Sequence, residues 1–412
     1  MPPGRPHCGV AFDDSPIVRN ATPIEGFRDA EFDYQLVRAL GVAAYGGSTV
    51  GECLAAAAEI ADGSPRSWSR AFGTLAGRVE EEGRACLGGG HHVSGRDHLL
   101  RASTYYRTAE YYTPGADGAH FGDRSRACFV DAAAHVAPPV EVVEIPFETG
   151  ALPGYLVASG APGAPTLVAV GGFDSSAEEL YFHYAVPGAE RGWNVLVVDG
   201  PGQPGCLRRY PDLTFRPDYE EPVGAVLDHL AGRDGIDRDR IALVGQSFGG
   251  YFAARAAAAH PVAALVVDPP VVDLRRYMEA WVGPEVFHMA NDVRPEDVAG
   301  VPEDLMPRQM QWGIEAICRR FGVASFHAWR DALSAYVLGD AASRIACPVL
   351  ALVGEREGPE PLAQFQAFVD MLPGGATTHR FTVAEGVSAH CQADNVRRSA
   401  QVIFDWLDNR LG

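Results

Sequence analysis

Several features that would place this chain in other classes of protein are missing from its sequence. No two cysteines form a C-x-x-C pair, so neither a zinc site nor a dense disulfide framework is indicated, and a reduced compartment fits best. The cysteines are Cys8, Cys53, Cys86, Cys128, Cys206, Cys318, Cys347 and Cys391. No uncharged apolar run reaches about 18 residues, and the N-terminal stretch MPPGRPHCGVAFDDSPIVRN contains no continuous apolar segment. We therefore expect a cytoplasmic protein without a membrane span or a signal peptide.

Positive charge is also scarce. The 412 residues include 34 Lys and Arg against 53 Asp and Glu, which gives a net charge of −19. Because phosphate binding needs a basic surface, this balance argues against a nucleic-acid partner. The glycines at 88–90 have no strand–turn–helix frame, and His91 and His92 form an isolated pair. We expect no nucleotide or metal cofactor and a small-molecule substrate as partner, while a homodimer is left open.

The chain changes character near residue 138. Before it, apolar residues recur at helical spacing, as at Trp68, Phe72 and Leu75. After it come eight short β-rich runs: VEVVEIPF, LPGYLVAS, TLVAVGG, WNVLVVDG, RIALVG, AALVVDPP, PVLALVGE and THRFTV. Several are continuously apolar, as expected of strands that are buried on both faces. We therefore assign residues 1–137 to a helical domain and residues 138–412 to a domain built around a sheet.

Helical stretches alternate with these β-rich runs. SAEELYFHYAVPGAERG and EPVGAVLDHLAGRD each separate two of them. Alternation of this kind predicts an α/β fold with a mostly parallel, doubly wound sheet. Residues 271–346 contain no good strand, so we interpret them as a helical insert before the seventh strand.

The segment VGQSFGG, residues 244–250, contains the pattern G-x-S-x-G around Ser247. The pattern alone is weak evidence in a chain with 46 glycines. Its context is stronger, because Ser247 follows the fifth β-rich run and precedes the Ala-rich segment YFAARAAAAH. A serine at a tight strand-to-helix turn is the nucleophile elbow of α/β-hydrolases. We therefore predict an α/β-hydrolase fold with Ser247 as the nucleophile.

A serine nucleophile needs a base, and in this fold the chain order is serine, acid, histidine. His390 lies in AEGVSAHCQ, in a loop between the last β-rich run and the closing helical segment. His379 is the rival, but it lies inside or at the edge of that last run. We therefore predict His390 as the base.

The acid of the triad is expected just after the seventh β-rich run. The usual pattern there is Gly, two residues, then Asp, and the fourth position is occupied by Glu357. A carboxylate at this place would orient the imidazole and stabilise its charged form. We predict Glu357, and leave Glu355, Glu360 and, after the sixth run, Asp268 as alternatives.

An oxyanion hole needs two preorganised N–H donors. One should be Phe248, the residue after the nucleophile, and the other should come from the loop GGFDSS after the third run. Phe173 is the predicted second donor, because Gly171 and Gly172 allow the backbone to approach closely.

These motifs resemble a particular branch of the α/β-hydrolase superfamily. GGFDSSAEELYF, DGPGQPG, GQSFGGYFAAR and GVSAHCQ together look like the 2,6-dihydroxypseudooxynicotine hydrolase group and the fungal hydrolases that shorten polyketide chains in pigment biosynthesis. The N-terminal segment with YRTAEYY is similar to that group's helical lid domain, so the resemblance spans most of residues 30–410. It implies hydrolysis of a C–C bond beside a ketone by a serine triad without a cofactor. The sequence departs at Glu357, where the family commonly has Asp.

Several activities fit this pattern. The first is C–C bond hydrolysis of a β-diketone or polyketide-type substrate in secondary or catabolic metabolism. An esterase or thioesterase, or a cyclase that transfers an acyl group internally, would use the same residues, and a non-catalytic binding protein could keep the fold. Ligands of open α/β sheets bind outside the carboxyl ends of the strands. We therefore expect the helical domain to close over that edge, with Tyr105, Tyr106 and Trp281 lining the substrate pocket.

Overall fold

A computed structural model of the chain describes residues 26–302, 306 and 308–412. Cys8, the stretch searched for a signal peptide and the first 25 residues of the predicted helical domain lie outside the described residues. Five α-helices form the described part of the N-terminal region: α1 (Ala30–Gly41), α2 (Val50–Ala58), α3 (Pro65–Gly88), α4 (His92–Glu110) and α5 (Gly115–Ala133).

The N-terminal helices have their own apolar core. Trp68, Phe72 and Val79 are completely buried on one face of α3, as the helical spacing predicts. The indole N–H of Trp68 donates to the carbonyl oxygen of Thr108 on α4 at 2.9 Å, so the buried polar atom has a partner. The helices therefore form a packed layer with a defined orientation.

A single sheet forms the centre of the remaining chain. Its strands are β1 (Val140–Phe147), β2 (Gly150–Val157), β3 (Thr166–Val170), β4 (Asn194–Val198), β5 (Ile241–Gln246), β6 (Ala264–Asp268), β7 (Val349–Gly354) and β8 (Thr377–Phe381). Among the described residues, these eight strands have the order β1-β2-β4-β3-β5-β6-β7-β8. β2 is antiparallel to β1 and β4, and the other neighbouring strands are parallel. Each predicted run overlaps one strand, with differences of one or two residues at some ends, and the prediction of a mostly parallel α/β sheet is confirmed.

Helices cover the sheet and connect its strands. Up to β6 they are α6 (Ala177–Leu180), a π-helical turn (Tyr181–Ala185), α7 (Val186–Ala189), α8 (Pro204–Arg209), α9 (Glu220–Ala231) and α10 (Gly249–Ala259). Between β6 and β7 they are α11 (Leu274–Val282), α12 (Pro284–Phe287), α13 (Pro295–Val298), α14 (Arg308–Phe321) and α15 (Phe326–Ala332). After β7 follow α16 (Pro359–Met371) and α17 (Val396–Leu411).

The segment between β6 and β7 has the helical character that its sequence predicts. Apart from a single bridge between Asp273 and Val337, its described residues form no β-structure. Residues 303–305 and 307, which belong to the predicted insert, lie outside the described residues.

The N-terminal helices contact the sheet domain through a buried group of charges. The Arg38 guanidinium on α1 donates to both carboxylate oxygens of Glu179 on α6, at 2.5 Å each. It also donates to Asp174, in the loop after β3, at 2.6 Å. Arg107 on α4 lies 3.5 Å from Glu179 and 3.6 Å from Asp174. Because a buried charge is costly without a partner, these pairs favour one position of the helices over the carboxyl edge of the sheet.

Removal of the Glu179 carboxylate should weaken this contact and change its response to acid. Burial opposes the charged form, but Arg107 and Arg38 outweigh it and hold the pKa of Glu179 at about 2, below its usual 4.5. The stabilisation is therefore present above pH 4.5 and is lost as the pH falls toward 2. At neutral pH, Glu179→Gln should lower the Tm by several degrees, since loss of one partner of a buried pair costs about 3–5 kcal/mol.

The difference in Tm between wild type and Glu179→Gln should then shrink as the pH is lowered, because the amide does not titrate. Scanning calorimetry at a series of pH values below 7 measures this difference in Tm. Glu59→Gln, at an exposed position, is the control, and its Tm should match that of the wild type at each pH. A gap that stays constant over this range would contradict the prediction.

Candidate active site

Ser247 sits in a strained turn between β5 and α10. Its φ is +58°, a left-handed conformation that a residue with a side chain rarely adopts. Its N–H donates to the carbonyl oxygen of Asp268 at 2.6 Å. A Cβ at Gly245 would lie 2.0 Å from the Gly249 carbonyl oxygen, and one at Gly249 would lie 2.3 Å from that of Val170. Both glycines of G-x-S-x-G are therefore required by close approach of the backbone.

His390 and Glu357 form a hydrogen-bonded chain with Ser247. The His390 Nε2 atom lies 2.9 Å from Ser247 Oγ, and its Nδ1 atom lies 2.5 Å from Glu357 Oε2. The other carboxylate oxygen of Glu357 accepts the N–H of Gly354 at 2.7 Å. Both His390 and Glu357 are buried, so the arrangement is protected from competing water. This is the geometry that a serine nucleophile, its base and an orienting carboxylate require.

The histidine lies in a loop that is fixed by its own hydrogen bonds. Asp394 Oδ2 accepts the N–H groups of Ser388 and Ala389, at 2.7 and 3.1 Å, and the Ser388 hydroxyl at 2.9 Å. Cys391 and Gln392, which follow the histidine, have left-handed φ values of +53° and +50°. The loop therefore presents His390 in a defined orientation.

The alternative acids and the alternative histidine have other partners. Glu355 Oε1 accepts the N–H of Val383 at 2.8 Å, and Glu360 Oε2 accepts from Arg276 at 3.2 Å. His379 lies within β8, as its sequence position suggests. None of these three side chains forms a hydrogen bond to Ser247 or His390 in the described part of the chain.

Asp268 lies close to the candidate acid but plays a different part. It is buried at the end of β6, and its Oδ1 accepts from the Gln392 amide at 2.9 Å. Burial, and then the negative charge of Glu357, raise the pKa of Asp268 to about 8. The raised pKa favours the protonated form of Asp268 at neutral pH, and it is Glu357 that contacts the imidazole.

The two predicted oxyanion donors border the nucleophile. Among the described residues, the backbone N–H groups of Phe173 and Phe248 have no hydrogen-bond acceptor. Phe248 precedes the first turn of α10, where N–H groups lack an intrahelical partner. A Cβ at Gly172 would lie 2.8 Å from the Cβ of Ser247, so the loop after β3 runs directly against the nucleophile. Two free donors can therefore face a reacting atom at Ser247.

A partly open cavity of about 60 Å³ is lined by Ser247 and His390. Its walls are mostly aromatic and aliphatic: Tyr111, Phe173, Phe248, Val271, Leu274, Tyr277, Met278, Trp281 and Phe321, with Asp174 as a charged member. Trp281, one of the predicted pocket residues, is among them. Such a lining suits an apolar ligand that is held by a few polar groups.

The structure corrects the prediction that Tyr105 and Tyr106 line this cavity. The Tyr105 hydroxyl donates to Glu52 on α2 at 2.7 Å, and the Tyr106 hydroxyl donates to Glu80 on α3 at 2.8 Å. Both rings thus face other helices of the N-terminal region. Tyr111, just after the end of α4, contributes to the wall instead.

Some lining residues could have been found from local patterns. Tyr277, Met278 and Trp281 fall on one face of α11 at helical spacing, next to the polar face that holds Arg275 and Arg276. Phe321 and Asp174 carry no comparable signal, because their place in the cavity depends on how separate segments pack. In the described ranges, no group of three or more His, Cys, Asp or Glu could hold a metal ion. No described helix combines the length and apolar character that crossing a membrane requires.

Curated fungal proteins are similar to this chain over most of its length. Hydrolyase poxO of Penicillium oxalicum is 35% identical over 349 residues, which cover 79% of this chain and 82% of that protein. Hydrolase ORFZ of Pyricularia oryzae is 35% identical over 79% of this chain and 82% of its own length. Alpha/beta hydrolase psoB of Aspergillus fumigatus is 31% identical over 94% of each chain.

Solved structures and a family model agree on the architecture. The crystal structure of 2,6-dihydroxy-pseudo-oxynicotine hydrolase matches with a TM-score of 0.71 and 22% identity, over 90% of this chain and 95% of that one. AbyA5 matches with a TM-score of 0.60 and 19% identity, over 90% of this chain and 97% of that one. At these identities the likeness concerns the fold. The prolyl oligopeptidase family model matches residues 180–300, which include Ser247.

Two Gly→Ala substitutions, one at the elbow and one in α3, should change the Tm in opposite directions. Gly249→Ala should lower the Tm by several degrees, because the new methyl would meet the carbonyl oxygens of Val170 and Gly171, at 2.3 and 2.8 Å. Gly77→Ala should raise it slightly. Gly77 lies within α3 with ordinary contact distances, and replacement of a helical Gly by Ala stabilises by about 0.5–1 kcal/mol. Calorimetry of both variants tests this, and equal effects would contradict it.

Proposed function

Since this chain belongs to the α/β-hydrolase family of the fungal hydrolases described above, we propose that it is a serine hydrolase acting on a ketone or acyl carbon. The observation that carries the proposal is the hydrogen-bonded chain from Ser247 through His390 to Glu357, of which Ser247 and His390 line a mostly apolar cavity. A nucleophile that is hydrogen-bonded to a buried base and, through it, to a buried carboxylate would have little purpose in a protein that only binds its ligand.

The first step is attack of Ser247 Oγ on the substrate carbonyl. His390 Nε2 accepts the hydroxyl proton, while the Nδ1–H donates to Glu357, which holds the ring in the productive tautomer and stabilises the imidazolium. The carbonyl oxygen becomes an oxyanion, and the N–H groups of Phe173 and Phe248 donate to it. The negative charge would therefore develop beside two backbone donors that have no other acceptor among the described residues.

The second step depends on the group that leaves. In a β-diketone, the C–C bond breaks, its electron pair forms an enolate on the second carbonyl, and His390 returns the proton to carbon. In an ester, the alkoxide leaves and takes the same proton. Water activated by His390 then hydrolyses the acyl group from Ser247 and releases a carboxylic acid.

The cavity favours a substrate with an apolar, aromatic or polyketide-like body. Trp281, Tyr277, Phe321 and Tyr111 surround the space beyond Ser247, and Asp174 is already engaged with Arg38. We favour C–C bond hydrolysis over ester hydrolysis because the loop motifs resemble those of the 2,6-dihydroxypseudooxynicotine hydrolase group, and this resemblance implies cleavage of a C–C bond beside a ketone.

A comparison of matched substrates tests this proposal. The purified protein is given benzoylacetone and ethyl benzoate, and acid and ketone products are quantified to obtain kcat/KM for each. We expect the diketone to be cleaved into one acid and one ketone, and Ser247→Ala to lower the rate by about four orders of magnitude or more. Ester hydrolysis without diketone cleavage would identify an esterase. A product that retains every substrate atom would identify a cyclase, and failure of a fluorophosphonate to label Ser247 would identify a binding protein.

Removal of charge from the two neighbouring carboxyl groups should have unequal effects. Glu357→Gln should lower kcat by about 10⁴, because an amide beside Nδ1 stabilises the wrong tautomer of the base. Asp268→Asn should lower it by much less, since Asp268 is mostly protonated and bonded to Gln392. Steady-state kinetics of both variants on the same substrate measures the ranking, and the reverse order would make Asp268 the acid.

A further inference from the structure

The loop after β3 is held by side chains from distant parts of the chain. The carbonyl oxygens of Gly171 and Gly172 accept from the Gln203 amide at 2.6 and 3.1 Å. The carbonyl oxygen of Phe173 accepts from Arg320 at 3.0 Å, and that of Asp174 accepts from Arg107 at 3.4 Å. All four consecutive carbonyl groups thus have side-chain donors, which is an unusual density of constraints for a short loop.

Gln203 is the donor nearest to the chemistry and is completely buried. It lies between β4 and α8, and its Oε1 atom accepts the N–H of Gly200 at 2.6 Å. The segment that carries it is itself fixed, because the N–H of Gly205 donates to Asp199 at 3.0 Å. The Gln203 amide therefore cannot rotate away without breaking several hydrogen bonds.

The bond to Gly172 has a direct geometric consequence for Phe173. The Gly172 carbonyl and the Phe173 N–H belong to the same trans peptide unit, so they point in opposite directions. A donor that fixes the carbonyl on one side therefore fixes the N–H on the other. The hydrogen bond to the carbonyl also polarises the peptide and strengthens its N–H as a donor.

We propose that Gln203 is a positioning residue for the oxyanion hole, acting through the peptide between Gly172 and Phe173. This inference rests on the proposed serine-hydrolase function, because only that function needs the Phe173 N–H to face an oxyanion. Gln203 touches neither the substrate nor the reacting atoms. Its contribution is to hold the N–H in place before the charge develops, which spares reorganisation of the loop during the reaction.

The test compares Gln203→Met, which removes the amide at similar volume, with a matched control remote from the site. Asn194→Leu removes another buried amide, which accepts the N–H of Ser159 at 2.9 Å and donates to Ala164 at 3.3 Å. Asn194 begins β4, at the end of the sheet opposite Ser247. Both variants should lose comparable stability, so the control separates general destabilisation from an effect on the oxyanion hole.

The readout is the second-order rate constant for labelling of Ser247 by an alkyl fluorophosphonate, whose phosphoryl oxygen occupies the oxyanion hole. We expect Gln203→Met to lower it about 10²-fold, the scale of a lost oxyanion donor. Asn194→Leu should change this rate constant less than about threefold, because the substitution leaves both oxyanion donors in place. Gln203→Asn keeps the amide on a shorter side chain and should fall between these values, which provides a second variant if Gln203→Met does not fold.

An NMR measurement tells whether a slower labelling rate arises from the loop after β3 or from the triad. The downfield proton NMR signal of His390 Nδ1–H, hydrogen-bonded to Glu357, should persist in Gln203→Met while labelling slows. Loss of this signal would overturn the proposal, because the substitution would then act on the triad.

The remaining labelling results also test the proposal. Labelling of Gln203→Met and Gln203→Asn at the wild-type rate would overturn the role of Gln203 alone. A fall in Asn194→Leu as large as that in Gln203→Met would overturn it as well. Absence of labelling at Ser247 in the wild type would overturn the proposed function, and this inference with it.

Discussion

Much of this structure depends on the left-handed backbone of Ser247. A residue with a side chain pays for a φ of +58° in steric energy, and the conformation persists only where its surroundings enforce it. Here β6 accepts the serine N–H through the carbonyl oxygen of Asp268. The end of β3 and the loop after it approach so closely that positions 172 and 249 must lack a Cβ, and the Gly249 carbonyl excludes one at position 245. The parallel sheet supplies this enforcement, since β3, β5 and β6 are adjacent and end at the same edge.

The same edge also receives charged side chains from outside the sheet. Arg38 and Arg107 come from the N-terminal helices, and Arg320 comes from α14, yet all three contact residues of the loop after β3. Arg320 also stacks on the Phe173 ring, with its guanidinium carbon 4.9 Å from the ring centroid. Burial, and then the charge of Arg319, lower the pKa of Arg320 to about 10, so it stays charged at neutral pH. The helices and the insert thus help to hold the loop beside the candidate site in place.

The strands, and the candidate residues Ser247, His390 and Glu357, could be predicted from the sequence because each prediction rests on local information. Buried parallel strands are continuously apolar, and a nucleophile elbow carries its glycines within five residues. The wall of the cavity depends instead on which face of a packed helix is oriented toward it. Tyr105 therefore faces α2, while Tyr111 lines the cavity. The pairing of Arg38 with Glu179 joins residues 141 positions apart. No periodicity in either segment indicates such a contact, because it exists only once the two layers have packed.

The use of Glu in place of Asp as the candidate acid can be explained by the backbone beside it. The extra methylene lets the Glu357 carboxylate reach His390 with one oxygen while the other accepts the Gly354 N–H. A Cβ at Gly354 would lie 3.2 Å from both Glu357 Cγ and Oε1, so glycine at that position makes room for the longer side chain. Burial, and then the charge of Glu357, raise the pKa of Asp268 to about 8, which disfavours a second negative charge nearby. One carboxylate therefore faces one imidazole, which is the charge balance that a proton-accepting histidine needs.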